Sequence, residues 1–135
     1  MPKVMRVTLP LVLCSLVVAV PSLWAYWVQN GNAICTATGE QEYPQTASDG
    51  AGGAIVTWED ARNGVNYDVY AQRVDSSGAV QWTADGVVLC AATGSQTFPT
   101  IAYDGAGEAI ISWSDSRGGA NYDIYAGQLD SKGRT

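Results

Sequence analysis

Apolar and polar residues alternate along this chain in short bursts, each closed by glycine or aspartate, and no window carries the 3.6-residue apolar spacing of a helix. The pattern predicts strands. Residues 54–59 (AIVTWE) are rich in β-branched and aromatic side chains, as a half-buried strand requires. Before them, residues 43–49 lead into Gly50, Ala51, Gly52 and Gly53, a run suited to a tight hairpin turn. After them a polar loop, residues 60–66, returns the chain into residues 67–74 (YDVYAQRV). There the two-residue period sets Tyr70, Gln72 and Val74 on one face, and Val69, Ala71 and Arg73 on the other. Residues 75–78 form another turn, and residues 79–82 are expected to be the outer strand. One more apolar run, Val87–Cys90, precedes the next unit, which opens at Phe98.

The whole pattern then recurs. Residues 27–80 align with residues 82–135 without a gap, and half of the paired positions are identical. Trp27 pairs with Trp82, Cys35 with Cys90, Pro44 with Pro99, Asp49 with Asp104, Trp58 with Trp113 and Arg62 with Arg117. A 55-residue repeat with about four strands in each copy is the signature of a propeller blade. Its unit cannot bury its apolar face alone and packs against its neighbours. The expected fold class is therefore all-β: two tandem four-stranded antiparallel propeller-type blades, residues 26–80 and 81–135.

Residues 1–25 stand outside this repeat. Lys3 and Arg6 precede an apolar run over residues 7–20, which Pro21 and Ser22 interrupt before Ala25. This order matches a secretory signal peptide cleaved after Ala25. The competing reading, an uncleaved membrane anchor, is opposed by a run shorter than the roughly 20 apolar residues of a span. A lipoprotein reading is opposed by Leu13 before Cys14, where a small residue belongs.

Charge sharpens the picture. Without Lys3 and Arg6, 5 basic residues face 13 acidic ones, an acidic exported chain. That balance argues against nucleic acid and against anionic membrane surfaces, both of which recruit Lys and Arg. Secretion, a periplasm or a cell surface is the expected location. Cys35 and Cys90 sit one repeat apart, so equivalent sites in stacked units are too distant to bridge, and two buried unpaired thiols are expected.

The run DGAGEAIISWSDSRGGANYDIYAGQLDSKG, residues 104–133, resembles the β-propeller repeats of the TolB type, and residues 49–78 match nearly as well. Such blades carry a DG turn, an apolar strand, an S-D-R-x-G loop, a D-I-Y strand and a closing D-x-x-G turn. The likeness covers almost all of the chain after residue 25. Longer tandem arrays of this pattern occur in secreted or surface bacterial proteins. The resemblance implies a propeller in an exported setting that binds or scaffolds proteins, and no enzyme. Two features depart from it: the unit is longer than the usual TolB-type repeat, and two copies do not close a ring of four to eight blades. The expectation is an incomplete propeller, a fragment of a longer chain, or one that oligomerises.

The dense polar clusters are Asp60, Arg62, Asn66 and Asp68, with their copies Asp115, Arg117, Asn121 and Asp123. A guanidinium paired with a carboxylate through two bonds would fix the hairpin, making Trp58, Asp60, Arg62, Asp68, Trp113, Asp115, Arg117 and Asp123 structural. The alternative gives the oxygens of Asp60, Asn66, Asp68, Asp115, Asn121 and Asp123 to calcium, although arginine competes with a cation. Residues 75–82 distantly resemble the Asp-box of sialidase-like propellers, a structural turn. No cofactor is implied. With no histidine in the chain there is no Ser-His-Asp triad, and no phosphate-binding glycine loop occurs. Recurring Trp27, Trp58, Trp82, Trp113, Tyr70 and Tyr125 suggest carbohydrate stacking or packing between blades.

The expected function is an exported module that binds a protein or carbohydrate ligand, or scaffolds, without catalysis. Its alternatives are a piece of a propeller hydrolase with catalytic residues elsewhere, or a structural spacer. Any binding site should lie where the copies differ: Glu40 and Glu42 against Ser95 and Thr97, Glu59 against Ser114, Asn63 against Gly118, and Gly53 against Glu108.

Overall fold

A computed structural model describes residues 27–135; the expected signal peptide, residues 1–25, lies outside the described residues. Among the described residues there is no helix. Seven strands among the described residues form two antiparallel sheets that do not close on one another. The first sheet has the order β1 (Gln41–Ser48), β2 (Ala54–Asp60), β3 (Asp68–Val74), β4 (Val87–Cys90). The second has β5 (Gln96–Tyr103), β6 (Ala109–Asp115), β7 (Asp123–Leu129). Neighbours in each sheet are consecutive in the chain, so every connection is a hairpin or a short loop.

Four turns are built alike. Asp49 Oδ1 accepts from the amides of Ala51 (2.8 Å) and Gly53 (2.7 Å). Asp75, Asp104 and Asp130 each accept from the amides two and four residues on. A carboxylate that satisfies two turn amides fixes the register of the strands it joins. Asp49 also receives Arg73 Nε at 2.9 Å. Its burial would raise its pKa, but the Ala51 amide and Arg73 outweigh that and hold the carboxyl below its ordinary range.

One core runs through both sheets. Ile55, Val69 and Ala71 of the first pack with Ala109, Ile111, Trp113 and Leu129 of the second. Each buried aliphatic side chain of this kind contributes about 1.5–3 kcal/mol of hydrophobic stabilisation. The sheets meet through β5, which lies against β1 and β2.

The outer strand is a correction. Residues 79–82 form no strand in the sheet; Val80 makes an isolated bridge to Val74, and the Gln81 amide donates to the Arg73 carbonyl at 2.8 Å. The fourth strand is β4, whose Val87 and Val88 pair with Ala71 and Tyr70. Residues 79–82 read as a strand by composition, but Gln72 spans that stretch with its side chain. Its Oε1 accepts from the Trp82 amide (3.0 Å) and its Nε2 donates to the Thr83 carbonyl (2.8 Å). The chain thus rides past β3 and joins it only after the turn at Gly86.

Both β1 and β5 carry an irregularity at the same place. The ladder shifts between Glu42 and Gln45, and again between Thr97 and Thr100. Proline at 44 and 99 has no amide to give a ladder, so each strand bulges there. The preceding aromatic takes a left-handed conformation, φ 50° at Tyr43 and 53° at Phe98, which is costly for a bulky side chain.

Candidate functional site

The polar clusters come first because the sequence singled them out. Asp60, fully buried at the end of β2, receives Arg62 through Nε at 2.8 Å and Nη2 at 2.5 Å. Trp58 Nε1 donates to the same carboxylate at 2.7 Å, as does the Arg62 amide at 2.9 Å. Above it, the Arg62 guanidinium lies 3.7 Å from the centre of the Tyr70 ring, which stacks on Trp58. Burial would push the Asp60 carboxyl up, yet Arg62 and Trp58 more than reverse this and hold it below its ordinary value. The second sheet repeats the design with Trp113, Asp115, Arg117 and Tyr125. There the Arg117 hydrogen bond keeps Asp115 far below the usual carboxylate range.

Asp60 and Asp68 face each other across the β2–β3 pair. Every oxygen of Asp60 is nevertheless engaged, which leaves none for a hard cation. Asn63 bridges the rest, donating to Asn66 Oδ1 at 2.5 Å and to Asp68 at 2.9 Å. Asn66 Nδ2 in turn donates to the Gly94 carbonyl. In the second copy Gly118 stands where Asn63 is, and Asn121 and Asp123 are exposed. Among the described residues no three His, Cys, Asp or Glu side chains group as metal ligands.

The thiols are unpaired but partly exposed rather than buried. Each completes a cluster: Arg62 Nη2 donates to Cys35 Sγ at 3.4 Å and Arg117 Nη2 to Cys90 Sγ at 3.1 Å. The guanidinium ends at the sheet surface, and the sulfur covers it only in part. Trp58 and Trp113 are core residues. Trp27 and Trp82 cover turns, with Nε1 donating to the carbonyls of Ser76 and Ser131. Trp58 and Trp113 thus recur in the core, whereas Trp27, 60% exposed, and Trp82 recur over turns.

A different group gathers where the copies diverge. Glu40, Glu42, Glu59 and Asn63 all lie toward one end of the first sheet, and only Gly53 sits in the turn at the other. Tyr67 Oη donates toward Glu40 (2.8 Å) and Glu42 (3.2 Å). These bonds, that to Glu40 most of all, raise the phenol's pKa far above its ordinary value. Glu59 is buried and accepts the amide of Phe98 on β5. Burial raises its pKa, the Phe98 amide opposes this, and the nearby Glu42 charge adds to the rise. Next to Glu42 the bulge turns Tyr43 outward, and its ring meets Phe98 edge to face at 5.3 Å between centroids. Tyr43 is 54% exposed and Phe98 61%. A recess of about 330 Å³ between Glu40, Ala61, Val65, Tyr67 and Ser95 adjoins this end.

The Tyr43–Phe98 pair was missed in the sequence. Its signal was present as an aromatic before proline, recurring at the repeat, but the bulge that expels the ring is a backbone event. No family model, curated protein or solved structure matches the chain.

Proposed function

We propose that this chain is an exported propeller-type repeat module that binds a saccharide ligand on the exposed aromatic pair, with no catalysis of its own. The observation that carries this reading is the Tyr43–Phe98 pair: two large rings held outward at positive φ, next in the chain to Glu42, which Tyr67 Oη also reaches. The strained backbone at both positions turns the rings to solvent, where they add nothing to the core. Aromatic faces take the C–H face of a sugar ring, and carboxylates accept from its hydroxyls. The signal-like leader supports export, and the resemblance to TolB-type repeats supports a binding or scaffolding role.

Isothermal titration against a panel of soluble neutral polysaccharides and their oligosaccharides tests this reading. Binding by the parent chain, weakened by about tenfold or more in the Tyr43→Ala/Phe98→Ala double variant, is the expected result. Absence of saccharide binding at millimolar concentration, or equal binding by the variant, would sink it.

A further inference from the structure

Several equivalent side chains of the two sheets have opposite surroundings. Val69 on β3 is wholly buried, whereas Ile124, its equivalent on β7, is 77% exposed. On the other face the order reverses: Pro99 is fully buried, and Pro44 is exposed. The face covered on the first sheet is thus exposed on the second at Ile110, Ile124 and Ala126, while on the other face Pro44 and Thr46 stand exposed on the first sheet, beside the buried Trp58, Gln72 and Val74. Each exposed patch is the repeat equivalent of one side of the contact already made within the chain. Contacts between unlike faces of identical molecules run head to tail.

The edge of β7 says the same. Along β3 the matching edge is occupied by β4, and Gly86 lies so close to Trp58 that an added Cβ would come within 2.6 Å of the ring. Among the described residues β7 is the edge of its sheet, and a recess of about 400 Å³ opens there between Leu89, Cys90, Trp113, Arg117 and Tyr125. The segment one repeat before β4, residues 30–35, already holds the shape of its counterpart. Asn30 and Gly31 have φ 77° and 90°, against 63° and 89° at Asp85 and Gly86. The Gly31 amide donates to the Val28 carbonyl at 3.0 Å, as the Gly86 amide does to that of Thr83 at 2.9 Å. Yet an added Cβ at Gly31 meets nothing within 4 Å. Residues 30–35 carry the turn of an outer strand, and among the described residues they belong to no sheet ladder.

Charge fits as well. Within the chain Glu59 reaches the Phe98 amide, beside Thr97. One repeat on, Ser114 replaces Glu59, while Glu42 replaces Thr97. Between copies the neutral Ser114 would stand opposite Tyr43 and Glu42, and no carboxylate is set against that glutamate.

We propose that the chain associates head to tail with copies of itself. The Ile110, Ile124 and Ala126 face of one copy packs on the Pro44, Thr46 and Val56 face of the next. Residues 32–35 of that next copy add as the fourth strand on β7. Transferring the β3–β4 register by one repeat pairs Ile124 with Cys35 of the second copy, and Tyr125 with its Ala33. The surface is separate from the ligand site: Phe98, already at an internal junction, keeps its ring exposed.

The register supplies the test. Ile124→Cys, purified as the whole chain and mildly oxidised with diamide, is expected to form covalent multimers through Cys35, identified by peptide mass mapping. Adding Cys35→Ala should abolish them, while adding Cys90→Ala should not. Separately, the parent chain is expected to sediment as multimers whose mass is a whole-number multiple of the monomer, and Ile124→Asp, which alters a side chain exposed in the single chain, as a folded monomer. A discrete ring or an open series both support the interface. A parent that stays monomeric at every concentration overturns it, as do cross-links between two introduced thiols or through Cys90.

Discussion

Ile55 and Ile110 hold the same place in successive sheets, yet the first is 2% exposed and the second 46%. The same holds for Val69 against Ile124 and, in the opposite sense, for Val56 against Ile111. Local sequence does not cause these differences, because the residues and the hairpins around them are alike. Neighbourhood does. A repeat unit supplies two apolar faces and one strand edge, and only stacking decides which of them become core. The clusters built within a single hairpin behave differently: Asp60 and Asp115 are both fully buried, each beneath its own arginine and tryptophan. Intra-unit chemistry is copied with the sequence, whereas inter-unit burial is not.

The strongest way to break that distinction is to remove the part that is copied. Asp60→Ala strands the partly buried Arg62 and leaves Trp58 Nε1 without an acceptor, and breaking a buried pair in this way costs about 3–5 kcal/mol. Asp115→Ala should be destabilising in the same direction but less so, because Arg117 is more exposed than Arg62 and lacks its bond to a neighbouring carbonyl. Arg62→Ala should destabilise as well, without loss of saccharide binding. Urea unfolding of each variant measures these effects. Equal stability of Asp60→Ala and the parent would refute the anchored-hairpin account.

Next comes the part that is not copied. Ile55→Ala opens a cavity in the shared core and should cost about 2–4 kcal/mol. Ile110→Ala, measured at a concentration where the chain is monomeric, should change stability by no more than about 0.5 kcal/mol. Comparable losses at the two sites would mean that something covers the second sheet even in the single chain.

Much of this was legible in the sequence, and the division follows the same line. The gapless repeat, the turns opened by Asp49, Asp75, Asp104 and Asp130, and the pairing of Asp60 with Arg62 are all local, and residue type and spacing express them. The outer strand was misplaced because VQW at residues 80–82 has strand composition, while the side chain of Gln72, ten residues away, claims its backbone. The bulges at Tyr43 and Phe98 were hidden because a ladder shift has no composition of its own; proline marked the spot without saying which way the ring would point. Exposure of Ile124 was beyond reach, since the sequence around it is that of a buried strand.

The finest distinction between the sheets is one ionisable group. Glu59 sits at the junction, where burial chiefly, with the Glu42 charge, lifts its pKa above the ordinary carboxylate value; the second sheet has Ser114 there. A carboxyl whose folded pKa is raised holds a proton that the unfolded chain releases. Its protonated form favours the fold at low pH, and that contribution fades as pH climbs from the ordinary glutamate range through the raised folded value. Asp49 and Asp60, held low, act in the opposite sense: their contribution stands above the ordinary aspartate range and is lost as pH falls through their depressed values. Acid unfolding therefore belongs to the aspartates, and a modest decline toward neutrality belongs to Glu59. Glu59→Gln keeps an oxygen for the Phe98 amide and carries no charge at any pH. It should match the parent below the ordinary glutamate range and exceed it at pH 7, by chemical unfolding at both values. A difference of the same size at both would mean that Glu59 acts through packing rather than through its charge.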